Sequence, residues 1–165
     1  MNDEFPNVQT PENCLAAVKH YGGALRFVKE QTPEICLAAV KQCPWSLRFV
    51  EAQTPEICLI AVKENPFYLE YVHNQTPELC LAAVKINAYA LQYVKEQTPE
   101  LCLEAFKKDG KTLKYVHEQT EELCLAAVKN HPWALEFVKV KTPAILWEYS
   151  KIEWVKYMFN IMFRR

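Results

Sequence analysis

The side chains able to do chemistry in this 165-residue chain are few, and most recur at one fixed interval. Six of the seven cysteines keep that interval, at Cys14, Cys36, Cys58, Cys80, Cys102 and Cys124. Thiols in such a row suggest a disulfide or metal ladder. The spacing argues against both. Equivalent positions on stacked helices lie about 8–10 Å apart, beyond the roughly 7 Å that a disulfide spans between Cα atoms. Zinc–sulfur bonds of about 2.3 Å need tighter clustering, usually from Cys-x-x-Cys pairs, and the chain has none. The column reads as small buried apolar residues, with Cys43, out of register, as the most exposed thiol.

Two charged columns share the same period. Lys19, Lys41, Lys63, Lys85, Lys107 and Lys129 form a basic track of the kind that binds phosphates. Glu12, Glu34, Glu56, Glu78, Glu100 and Glu122 form a parallel acidic track one helix length away. The second cancels much of the first beyond a Debye length of about 8–10 Å. Nucleic acid along the lysine column is therefore the alternative reading of function, not the first.

Catalysis finds little material. His73 and His117 share a column two repeats apart, about 16–20 Å on the stacking distance, while His20 and His131 stand elsewhere. Asp3 and Asp109 are the only aspartates, and Ser46 and Ser150 the only serines. No nucleophile, base and orienting group can be assembled from these, and no glycine-rich phosphate loop exists. We expect no enzyme, with no catalytic, cofactor-binding or metal-ligating residues and no cofactor.

Aromatic residues offer a different chemistry. Trp45, Phe67, Tyr89 and Trp133 form one column, interrupted by Lys111 and preceded by Gly23. It suits either a groove for a peptide or for stacked bases, or packing against the next repeat. We take these four as a candidate partner groove.

The elements that position these columns follow from the repeat. Threonines recur at Thr10, Thr32, Thr54, Thr76, Thr98, Thr120 and Thr142, always at the interval of the cysteines. A fixed period of this length marks stacked repeats. In Gln-Thr-Pro-Glu-Leu-Cys-Leu-Ala-Ala-Val-Lys, residues 75–85, the threonine is an N-cap and Pro77 takes the first helical position. Glu78 and Lys85 match the two ends of the helix dipole. A first helix over about Pro77–Lys85 results, too short to be stable unpacked. Ala17, Ala39, Ala61, Ala83, Ala105 and Ala127 keep one column small, which implies close helix approach.

A second helix follows, with Leu91 and Val94 in constant columns and an aromatic column (Phe27, Phe49, Tyr71, Tyr93, Tyr115, Phe137) beside them; it is expected to end near Glu96-Gln97. Apolar spacings of 3 and 4 exclude strands. The glutamines before the threonines, Gln31, Gln53, Gln75, Gln97 and Gln119, are placed to bridge backbone groups of adjacent repeats. The fold class is all-α: an α-solenoid of stacked two-helix repeats. Residues 1–9 form an N-terminal half-repeat cap, residues 10–141 six helical hairpins, and residues 142–165 divergent C-terminal capping helices.

The bulk properties fit an ordinary domain. The net charge of −1 gives no global attraction to nucleic acid or anionic membrane. No apolar run reaches the roughly 18 residues that mark a spanning helix, so no transmembrane segment is expected. The acidic N-terminus lacks the pattern of a signal peptide, and the cysteines point to a reducing, cytoplasmic setting.

The repeat resembles a family of short tandem helical repeats of unknown function, found in large DNA viruses of amoebae, some intracellular bacteria and algae. The resemblance rests on Leu-Ala-Ala-Val-Lys (81–85, 125–129) followed by Ala-Leu-x-Tyr/Phe-Val (90–94, 134–138). It covers about Gln9–Lys139, implies a viral origin and hence host cytoplasm, and transfers no active residue.

The stretch from Thr142 departs from the repeat. Leu146, Trp147 and Tyr149 replace the Cys, Leu and Ala columns, and the helix that follows is apolar nearly all round. Such a cap is expected to fold back over the last hairpin, to self-associate, or to meet a membrane surface or another partner. Trp147, Tyr149, Trp154, Tyr157, Phe159 and Phe163 are the candidate self-association residues. The expected function is a protein–protein interaction scaffold that is a homodimer through this cap.

Overall fold

The computed structural model describes residues 9–162, the Met162 side chain excepted. The half-repeat expected over residues 1–9 lies almost wholly outside that range, as does Phe163. Seven α-helices are present among the described residues: α1 (Pro11–His20), α2 (Pro33–Gln42), α3 (Pro55–Glu64), α4 (Pro77–Ile86), α5 (Pro99–Lys108), α6 (Glu121–Asn130) and α7 (Pro143–Met162). Six shorter helices alternate with them: η1 (Gly22–Phe27), η2 (Pro44–Phe49), η3 (Pro66–Tyr71), η4 (Ala88–Tyr93), η5 (Gly110–Tyr115) and η6 (Pro132–Phe137). No strand occurs among the described residues. The all-α, two-helix repeat is thus observed. The chain divides between Ile86 and Asn87 into two compact units.

The α-helices begin where the threonines cap them. Thr54 Oγ1 accepts the Ile57 N–H at 3.3 Å, and Thr120 Oγ1 the Leu123 N–H at 3.3 Å. Each threonine supplies an acceptor for an N–H that the helix itself leaves unpaired. The helices end where the chain turns extended, as at Asn65 (φ −143°, ψ 110°), whose N–H still reaches the Ala61 carbonyl at 3.0 Å.

The second helix of each repeat differs from expectation. It is a 3-10 helix of six residues, not an α-helix, and in the fourth repeat it stops at Tyr93. Its bonds run from residue i+3 to residue i, as from the Val72 N–H to the Leu69 carbonyl at 3.1 Å. In this geometry side chains three apart lie one above the other. Pro66, Leu69 and Val72 therefore make one buried stripe, and Ala88, Leu91 and Val94 make another. A period of 3 sustained over the stripe favours the tighter helix. The valine then turns extended (Val72 φ −78°, ψ 122°), which carries the chain to the next threonine.

Within each unit the α-helices pack side by side with the 3-10 helices against them. Ala39, Ala61, Ala83, Ala105 and Ala127 are fully buried, as the close approach expected at that column requires. The leucines expected on the same face as the cysteines are less covered: Leu15, Leu37, Leu59, Leu103 and Leu125 are half-buried and Leu81 is exposed.

Candidate functional site

The glutamine and cysteine columns form one device. Gln53 Nε2 donates to the Leu47 carbonyl at 3.3 Å and to the Tyr71 carbonyl at 2.8 Å, and Gln53 Oε1 accepts the His73 N–H at 2.9 Å. The glutamine thus ties its own repeat to the backbone of the next, as expected. Gln31, Gln97 and Gln119 repeat the pattern. Beneath Gln31, Gln53, Gln75 and Gln119 lies a cysteine whose thiol donates to the same Oε1: Cys36 to Gln31 at 3.4 Å, Cys58 to Gln53 at 3.6 Å, Cys80 to Gln75 at 3.7 Å and Cys124 to Gln119 at 3.8 Å. The column is therefore more than a row of small apolar residues, because these four thiols orient the amides above them. Burial pushes the thiols of Cys36, Cys58 and Cys124 up from their ordinary value and that of Cys102 up to about 11, so they stay protonated and donate. Cys43 is half-buried. No three His, Cys, Asp or Glu side chains gather to hold a metal ion among the described residues.

The candidate groove residues do not share one environment. Trp45 meets Phe49 edge to face at 5.0 Å, and the Arg48 guanidinium lies over Trp45, Phe49 and Tyr71 at 4.8, 5.4 and 5.3 Å. This cation covers the rings from within the unit. Phe67 is half-buried. Tyr89 donates its hydroxyl to Asp109 Oδ2 at 2.7 Å, and the Trp133 ring lies 4.7 Å from the His131 ring, tilted by 43°, while remaining half exposed. Partial burial works upward on the Asp109 carboxyl. Hydrogen bonds from the Lys111 N–H and the Tyr89 hydroxyl, helped by the charges of Lys111 and His131, outweigh it and hold Asp109 below the usual carboxylate range.

The lysine and glutamate columns occupy the last and first turns of the α-helices, as read from the sequence, and are exposed. Lys107 pairs with Glu104 at 2.9 Å, one turn back on its own helix.

A feature not foreseen lies beside the histidine column. In the first unit a cleft of about 510 Å³ opens between the loops before α3 and α4, lined by Gln53, Thr54, Cys58, Leu59, His73 and Leu79 among others. In the second, the same columns (Gln97, Cys102, His117, Thr120 and Leu123) line a cleft of about 370 Å³. The shared column of His73 and His117 was the sequence signal.

The C-terminal segment is one continuous helix, α7, over the described residues, and its start packs against α6 and η6 of the last hairpin. Ile145 is buried, Tyr149 half-buried, and Trp147, Trp154, Tyr157 and Phe159 are exposed. Comparison with α6 explains the exposure. There, Cys124 and Val128 are buried, with η6 packed against the helix. On α7 the same columns hold Leu146 and Ser150, both exposed, and no second helix of a repeat follows within the described residues. The face that α6 covers with η6 is left open on α7. Glu121 replaces the proline found after every other capping threonine, and its Oε1 accepts the Thr142 hydroxyl at the start of α7.

The family profile of a domain of unknown function, DUF4116, matches residues 54–97 and again residues 98–141. The chain belongs to this family. No curated protein and no solved structure gives a significant match to the chain. Each DUF4116 match spans two of the repeats, beginning at a capping threonine. Each also holds most of one of the two clefts. The segment that carries α7 lies beyond both DUF4116 matches. No helix among the described residues is long and apolar enough to cross a membrane.

Proposed function

We propose that this chain is a non-enzymatic repeat scaffold for protein–protein interaction that self-associates through α7. The observation that carries the reading is the exposed apolar surface of that helix. Leu146, Trp147, Trp154, Val155, Tyr157, Phe159 and Ile161 are all exposed on one 20-residue helix. Terminal repeats ordinarily present a polar outer face, and contiguous apolar surface of this kind marks an interaction site. Solution mass by light scattering tests it. A dimer that Trp147→Glu with Trp154→Glu converts to a monomer supports the reading. A parent chain that stays monomeric at every concentration overturns self-association.

The second reading, nucleic acid along the lysine column, draws support from the exposure of Lys19, Lys41, Lys63 and Lys85 in the first unit. Anisotropy of a labelled single-stranded oligonucleotide decides it. Binding that falls steeply with salt and is lost in Lys63→Glu with Lys85→Glu favours it; no binding at low salt removes it.

A further inference from the structure

We infer that α7 pairs with α7 of a second copy in antiparallel orientation, Trp154 of each copy set against Ser150 of the other. This rests on the self-association proposed above and specifies its geometry.

The exposed residues of α7 are ordered. Trp147, Ser150, Trp154, Tyr157 and Ile161 recur at intervals of 3, 4, 3 and 4, and all are exposed, the four large ones by 52–64%. On an α-helix that spacing draws one straight seam, the pattern by which a helix receives another helix. Ile145, 1% exposed, and half-buried Ile152 mark the opposite side. Over the first half of α7 the side held by the repeats and the side offered to a partner are therefore separate; beyond it Val155 and Phe159, on the side of Ile145 and Ile152, are exposed as well.

Area favours a second copy as the occupant. Aromatic side chains bury about 150–250 Å² each, so at these exposures the seam and flanking Leu146 present on the order of 600 Å². Two such faces reach about 1,200 Å², the lower bound of specific interfaces. A self-complementary pair meets that bound with no further surface.

Orientation follows from side-chain size. In a parallel, in-register pair, equivalent residues meet, so Trp154 faces Trp154 and Ser150 faces Ser150, which crowds one layer and leaves a void in the next. Turning one helix about a point level with residue 152 sets Trp154 against Ser150 and Trp147 against Tyr157. The layers then differ less in volume than Trp–Trp and Ser–Ser layers do, as dense packing favours. The helix lengths agree. At about 1.5 Å per residue, α7 extends beyond the shorter α6 that supports it, so antiparallel pairing places the two supporting helices at opposite ends. The flanking charges impose no orientation: Lys151 lies over its own Trp147 at 5.2 Å, and Glu153 pairs with Lys156 at 2.8 Å.

Two measurements on the full chain test the geometry. The first is a size swap, read by the dimer dissociation constant. Ser150→Trp alone and Trp154→Ser alone should each weaken the dimer at least tenfold, on the order of a hot-spot change. Together they should restore it to within about threefold, because position 150 of one copy then offers the tryptophan to position 154 of the other. The second is the distance between spin labels at Asn160→Cys in a Cys43→Ser background. Antiparallel pairing separates the labelled positions by about 24 Å along the axis, whereas parallel pairing brings them to about 10 Å. A dimer with short label distances and no rescue in the swap overturns the antiparallel geometry and leaves self-association standing. A monomer at every concentration overturns both.

Discussion

Gln53 Nε2 donates to the Tyr71 carbonyl at 2.8 Å, so one side-chain amide closes a contact that backbone would otherwise have to make. Its Oε1 holds the His73 N–H beside it. Replacing it removes a donor from the partly buried Tyr71 carbonyl and an acceptor from the exposed His73 N–H. Gln53→Ala should cost about 1–3 kcal/mol in chemical denaturation, the penalty for unpaired buried polar groups. Gln53→Glu, which keeps the acceptor and loses the donor at neutral pH, should fall between the parent and the alanine variant.

The buried thiols of Cys36, Cys58, Cys102 and Cys124 predict a pH dependence. Their folded pKa values are raised by burial, so the unfolded state releases the proton first. Their contribution to stability is complete below the ordinary thiol range near 9 and is lost as pH rises toward the folded value, about 11 for Cys102. Stability should therefore decline over that alkaline window, and less steeply in Cys102→Ala. A thiol reagent at pH 8 should modify Cys43, the half-buried thiol, well before the buried column, and Cys43→Ser should remove that fast phase.

Gly110 is required for space. A Cβ there would stand 2.6 Å from the His131 Cβ and 3.0 Å from the Ala134 Cβ. Gly110→Ala should destabilise by about 1–3 kcal/mol through overpacking. Adding His131→Gly, which removes that Cβ, should recover part of the loss, measured as a coupling in a double-mutant cycle.

Leu91 fills the 3-10 stripe of η4 with no exposed surface. Leu91→Ala should cost about 2–5 kcal/mol in thermal or chemical unfolding. Gln92→Ala, on the outer side of the same short helix and half-buried, should cost at most about 1.5 kcal/mol, the range of a single hydrogen bond.

The Glu121–Thr142 bond ties the start of α7 to the start of α6. Glu121→Pro restores the residue of the other repeats and removes the acceptor. It should cost about 0.5–1.5 kcal/mol and raise hydrogen exchange in the first turn of α7, while Glu121→Gln retains most of the protection.

The repeat, the first helix and its boundaries were legible in the amino-acid order because each depends on local chemistry. A threonine cap, a proline at the first helical position and a lysine in the last turn act within one turn of helix, whatever surrounds them. The glutamine bridge was legible as well, since a polar side chain kept at a repeat junction needs a partner there. The second helix was legible as a helix, but its 3-10 type and its end at Tyr93 were not, although Leu91 and Val94 already stood three apart. So short a helix carries too little periodicity to separate a 3-10 helix from an α-helix, and the choice falls to the packing that buries Ala88, Leu91 and Val94 together. Packing also decided what the columns do. The thiol of Cys58 meets the Gln53 amide only once the helix is seated, and the histidine column borders a cleft only because two loops are held apart. For α7, composition announced apolar surface but not its side. Ile145 turns inward against the repeats, so Trp147, Ser150, Trp154, Tyr157 and Ile161 are left on the face that no 3-10 helix covers.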